Sequence, residues 1–261
     1  MKKILLFVAF ISLVCSANAW NKNVDAGAVV LATKYLTPEA KGVVEKYLGT
    51  AYEDDVDFLY FLERKKKATH TKEIHFLHLD KNFQPMEVEG DDALKAINEA
   101  LAVVRNRNSH SDAEVKKALR HVINLMLDIH NFSNIRIENI EHSQADFEFR
   151  RQVSDYKPTE YKLYKWSKIW NQLSGRQGIF HAELMAEDME LCHGDKFAEF
   201  TKGTLLDWVA DNGARAAEQL AIMYPNSEIT IRYFNLMEYI NYDMMTRAGM
   251  RLAVLLNENL K

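Results

Sequence analysis

The stretch that most constrains the fold of this chain is Leu119-Arg-His-Val-Ile-Asn-Leu-Met-Leu-Asp-Ile-His130. It reads as the C-terminal half of a helix that begins near Ser111 or Asp112. Leu119, Val122, Ile123, Met126, Leu127 and Ile129 make an apolar stripe too wide for a surface helix, which predicts a central one. Polar residues are set into that greasy run. Asn124 and Asp128 stand one turn apart and share a face, and His121, seven before Asp128, lies on nearly the same face. An unpartnered amide or carboxylate buried there would cost about 2–7 kcal/mol, so each needs a bonding partner or a metal.

The first nineteen residues read as a leader rather than as part of the fold. Lys2 and Lys3 form a basic start, Ile4 to Val14 an apolar run, and Ala17-Asn-Ala19 a small-residue cleavage site before Trp20. The apolar run is too short for a stable membrane span. The expectation is a secreted or periplasmic protein comprising residues 20–261 as one domain. Loss of Lys2 and Lys3 takes the formal net charge from -4 to -6, which argues against tight nonspecific binding to a phosphate backbone. Cys192 is then the sole cysteine, so no intrachain disulfide can form and stability must come from the core. Four prolines and ten glycines in 261 residues leave few breaks and favour long helices.

Helical spacing runs from Val24 to Leu36, and Thr37-Pro38 reads as the cap and first residue of a second helix that stops at Gly49. Further helices are predicted at 54–63, 91–104, 111–130, 161–173, 179–200, 204–223 and from 229 to the end. A short extended segment and turn is expected over Thr71 to Asp80, and Asp146-Phe-Glu-Phe149 alternates like a strand. The predicted class is an all-α domain with at most a short hairpin.

Several segments, taken in order, resemble the zinc-dependent single-strand nucleases of the S-one/P-one type, which share a fold with bacterial zinc-dependent phospholipase C. Trp20 directly follows the Ala-x-Ala site. Asn124-Leu-Met-Leu-Asp-Ile-His130 is similar to the family's His-x-x-x-Asp-x-His helix. His78 in Phe76-Leu-His-Leu-Asp80 matches an aromatic-flanked His segment. Asp207-Trp-Val-Ala210 and Ala248-Gly-Met-Arg-Leu-Ala253 resemble later segments of the family. The resemblance implies an all-α phosphodiesterase whose clustered zinc ions activate water and neutralise phosphate oxygens, acting on single-stranded nucleic acid or nucleotides.

Carried over residue by residue, the implied ligand positions are Trp20, Asp25, Glu63, His78, Asn124 and Asp128, with Asp128 as the bridging, catalytic carboxylate. The family has His where Asp25 and Asn124 stand, and Asp where Glu63 stands. A third metal site would fall on Asn134, Ser167 and Asn171, which are poor zinc ligands. The resemblance therefore implies at most two ions, zinc or a harder divalent cation given the oxygen-rich set, or none. The alternative is a catalytically inactive binding or structural protein outside the cytoplasm; a lipid hydrolase ranks last. Plainer readings stand beside these. Asn124 and Asp128 can bond each other or nearby backbone, Asp25 can complement a helix dipole, and Tyr161, Tyr164, Trp166 and Trp170 can be core rather than a stacking platform.

Overall fold

The computed structural model describes residues 22–51, 73–90, 92–172 and 181–261. In chain order these form α1 (Lys22–Lys34), α2 (Pro38–Leu48), β1 (Leu77–Leu79), α3 (Ala93–Arg105), α4 (Asp112–Asp128), β2 (Ile135–Ile137), β3 (Glu148–Ser154), β4 (Lys157–Lys165), α5 (Trp166–Gln172), α6 (Ala182–His193), α7 (Phe197–Phe200), α8 (Leu205–Ile222), β5 (Glu228–Ile229) and α9 (Ile231–Asn259). The predicted helix over 54–63 lies outside the described residues.

The helices begin and end where local chemistry requires. Thr37 accepts the Ala40 N–H at the start of α2, and Gly49, at φ 88°, ends it in a backbone conformation that costs glycine little. Ser111 and Glu114 form a reciprocal capping box at the start of α4, and Thr204 and Asp207 do the same for α8. α4 is central, as its apolar width predicts. Leu119, Val122, Leu125, Met126 and Ile129 are wholly or almost wholly buried. It packs along α3 and touches α1, α2 and α9. α1 packs on α6 and α9, and Gly249 makes the α9 contact close: a Cβ there would lie 2.5 Å from the Ala28 carbonyl oxygen.

The all-α expectation is corrected. Among the described residues, five strands in two sheets accompany the helices, so the architecture is mixed. β1 and β2 pair in parallel with Leu77 opposite Ile135 and Leu79 opposite Ile137. β4, β3 and β5 form a second sheet in that order, β3–β4 antiparallel and β3–β5 parallel. The helix predicted from Tyr161 is a strand as far as Lys165 and becomes helical only at Trp166. The residues of β4 lie opposite β3, with Tyr164 facing Phe149 and Lys162 facing Arg151. Cross-strand pairing of aromatic and long side chains outweighs local helical spacing there. No helix of the described residues is long and apolar enough to cross a membrane.

Candidate functional site at the end of the central helix

Asp128 is the last residue of α4. The chain then turns through Ile129 and His130 into a 3-10 turn, Phe132–Asn134, and enters β2. A second 3-10 turn, Glu73–His75, leads into β1. The parallel register of β1 and β2 brings the residues just before each strand to the same end of the sheet. That end sits on Asp128.

Among the described residues, two side chains meet the Asp128 carboxylate. His75 Nδ1 lies 2.7 Å from Oδ2, and Asn134 Nδ2 donates to Oδ1 at 3.0 Å. All three residues are at least 97% buried. Both carboxylate oxygens thus have a side-chain partner, which repays much of the cost of burying the acid. With Nδ1 on the carboxylate, the imidazole carries its proton there and turns Nε2 away from Asp128. His121, about two helical turns before Asp128, is half-buried. Burial first, then Lys117 and His75, push its pKa down to about 4, so it is neutral at pH 7.

The remaining sequence-predicted positions are spread unevenly. Asn124 is buried on α4, but its amide donates back to the Arg120 carbonyl at 2.8 Å, as the plainer reading allows. Asp25 is a 4% exposed carboxylate near the start of α1, a helix that packs against α4. His78 is on β1 beside Arg136, and it is His75, three residues earlier, that reaches Asp128. Ser167 opens α5 with its hydroxyl and N–H both on the Asp146 carboxylate at 2.9 Å. Asn171 lies in α5. Trp20 and Glu63 lie outside the described residues.

Zinc in a catalytic site takes three protein ligands and keeps a position for water. Among the described residues no group of three or more His, Cys, Asp or Glu is arranged to hold a metal ion. The positions of the implied third site carry a hydroxyl committed to Asp146 and an amide committed to Asp128. Asn134 and Ser167 as they stand do not suit a zinc site, whereas the other implied set includes Trp20 and Glu63, outside the described residues. A scan of the sequence against models of known protein families gives no match, and a search of curated proteins gives none either.

A second buried cluster adjoins the same helix end. His130, fully buried, sits 2.6 Å from the Met126 carbonyl oxygen through Nδ1 and 3.2 Å from Arg251 Nη1 through Nε2. Arg251 also donates to the Phe200 carbonyl, to Asn212 Oδ1 at 2.9 Å and to Asp211 Oδ2 at 2.6 Å. Asn212 in turn donates to the Ile129 carbonyl. Burial, reinforced by the Arg251 charge, holds the His130 pKa down to about 3. A neutral ring can then donate from Nδ1 and accept at Nε2, which is what its two neighbours require. Burial pushes the Asp211 pKa up, but the hydrogen bond and charge of Arg251 outweigh it and keep the group ionised.

A cavity of about 720 Å³ lies between α6, α7, α8 and α9 and meets the Arg251 cluster at Phe200. Asp188, His193, Arg215, Tyr242 and Arg247 are among the residues that line it, and Asp128 and its partners are not. Sequence reasoning did not single out His75 as the partner of Asp128, nor Arg251 as a hub. The first was readable only as one of the histidines His70, His75 and His78. The second lay inside a quoted segment, as an arginine amid small and apolar residues that could not stay buried without acceptors.

Proposed function

We propose that this chain is an extracytoplasmic protein on an S-one/P-one nuclease-like scaffold that has lost its metal chemistry and acts as a binding or structural protein. The observation that carries this reading is the state of Asp128. The carboxylate that would bridge two ions accepts from His75 at one oxygen and from Asn134 at the other. Asn134 and Ser167 stand where the resemblance calls for His, and each serves a local hydrogen bond. The leader read at residues 1–19 supports the address outside the cytoplasm.

A second reading is a metal-dependent phosphodiesterase on single-stranded nucleic acid. It is favoured by the contact between a buried acid and a histidine, Asp128 and His75, with a further buried acid, Asp25, on a neighbouring helix. It needs Trp20 and Glu63 to complete a ligand set. The deciding experiment is elemental analysis of the purified protein after dialysis against zinc or manganese, with single-stranded DNA cleavage measured on the same sample. The inactive reading expects substoichiometric metal and no cleavage. Stoichiometric metal with cleavage that disappears in Asp128→Ala would replace it with the second reading.

A further inference from the structure

The second sheet ends in an open edge. β4 is its outermost strand, with β3 on one side and no strand of the described residues on the other. The hydrogen bonds to β5 show which backbone groups face that opening. Arg150 N–H donates to the Ser227 carbonyl at 2.8 Å, and the Glu148 carbonyl accepts from Asn226 at 2.9 Å. The even-numbered residues of β3 therefore turn their backbone toward β5, and Phe149 and Arg151 turn theirs toward Tyr164 and Lys162 of β4. Trp166 N–H, which donates to the Phe147 carbonyl at 2.9 Å, continues the same alternation. It follows that Tyr161, Leu163 and Lys165 direct their N–H and C=O groups outward, along the free edge.

The side chains on that edge are not those of a surface left to water alone. Leu163 is 65% exposed, and the Tyr161 ring lies under the Arg150 guanidinium, 4.9 Å from centroid to Cζ. Lys157 is paired with Glu160 at 2.9 Å, whereas Lys162 and Lys165 have no ion pair among the described residues. Lysines on an edge discourage pairing with a second copy, because two like-charged strands would come together. The same charges select a partner of opposite sign.

We propose that β4 is a docking edge for an acidic, extended peptide segment of a partner protein, which adds as a fourth strand. Its backbone bonds Tyr161, Leu163 and Lys165; its acidic side chains meet Lys162 and Lys165; and an apolar residue covers Leu163. Backbone pairing supplies affinity and alternate side chains supply selection. Pro158, which lacks an N–H, limits the paired stretch to the α5-proximal half of the strand. The inference does not depend on whether Asp128 binds metal.

The test uses the whole chain and an N-acetylated peptide built on the repeat Glu-Thr-Val-Glu, which puts an acid on each face of the added strand and a valine on the Leu163 face, with a lysine-for-glutamate peptide as control. Binding is read by fluorescence anisotropy, and site by amide hydrogen exchange. The expected result is binding of the acidic peptide at least tenfold tighter than the control. Exchange at the Tyr161, Leu163 and Lys165 amides should slow at least tenfold, with little change at Lys162 and Tyr164. Leu163→Pro removes an outward N–H that β3 does not use, so it should weaken the acidic peptide at least tenfold with the sheet kept. Where Leu163→Pro disturbs folding, the double change Lys162→Glu and Lys165→Glu reads the same edge and should reverse the preference between the peptides. Equal affinity for both peptides, or no slowing at the three amides, would overturn the proposal. So would displacement of the peptide by oligothymidylate of higher affinity, which would make the edge a nucleic-acid surface.

Discussion

The two polar clusters at the end of α4 are built from similar parts and balanced differently. Around Arg251, a buried cation donates to a carbonyl, an amide, a carboxylate and an imidazole, and His130 is kept neutral to act as the last acceptor. Around Asp128, a buried anion accepts from one imidazole and one amide. The Arg251 cluster ties four parts of the chain together: α9, α8, the turn after α4 and the end of α7. The Asp128 cluster ties the entries of two short strands to one helix end. Among the described residues neither gathers a metal-ligating group of three, and the second occupies the place where the resemblance puts chemistry. A constellation of the residue types used in catalysis is thus no guide to catalysis until its lone pairs and protons have been counted.

The largest effect expected from breaking this comparison is on the Arg251 side. Arg251→Ala leaves Asp211, Asn212, His130 and the Phe200 carbonyl without their shared donor, and losing one member of a buried ionic group costs about 3–5 kcal/mol. Urea unfolding should show a midpoint shift of that size with an unchanged slope. A loss under about 1 kcal/mol would mean that the cluster is solvated and not the clamp its geometry indicates.

How much of this was legible beforehand differs between the elements. The starts of α2, α4 and α8 were written locally in Thr37-Pro38, Ser111 and Thr204, because a cap needs only its own first turn. The burial of α4 was equally local, since the width of its apolar stripe has no surface solution. β4 was hidden because Tyr161 to Lys165 carries aromatic and long side chains that suit either helix or strand, and β3 decides. The pairing of Asp128 with His75 rather than His78 was hidden for a related reason. The extended segment begins only at Leu77, and the 3-10 turn before it sets the direction of His75, which periodicity cannot supply. The Asp128 position itself was readable from the helix. What its carboxylate binds was not, because both partners arrive from elsewhere in the chain.

The histidines offer the next perturbation. The His121 pKa lies near 4 in the folded protein and near 6.5 in an unfolded chain, chiefly through burial. Protons then bind the unfolded chain first. The stability associated with this group is full above pH 6.5 and falls as the pH drops toward 4, by up to roughly 3 kcal/mol. His130 contributes in the same direction and down to about pH 3. His121→Gln should flatten the decline between pH 6.5 and 4 and leave the lower part intact. If denaturant titrations across that range show the same slope in the variant, His121 is protonated in the folded protein and the Asp128 cluster is more open to water than the Arg251 cluster.

The smallest change is the most discriminating for the site. Asp128→Asn keeps the shape and swaps a carboxylate for an amide. One of its two atoms can still accept, from His75 or from Asn134, but the other presents an N–H to a donor. The expected loss is about 1–3 kcal/mol, the cost of leaving one buried polar group unsatisfied. A compensating change follows from the geometry. Asn134→Asp in the Asp128→Asn background returns an acceptor opposite the new N–H at the 3.0 Å contact, and His75 can keep its partner on the other atom. Recovery of most of the lost stability in the double variant would mean that Asp128 serves hydrogen bonding. A single variant at full stability, or one stabilised by the loss of charge, would mean that the carboxylate is held in the core at a cost, as acids reserved for binding a cation are.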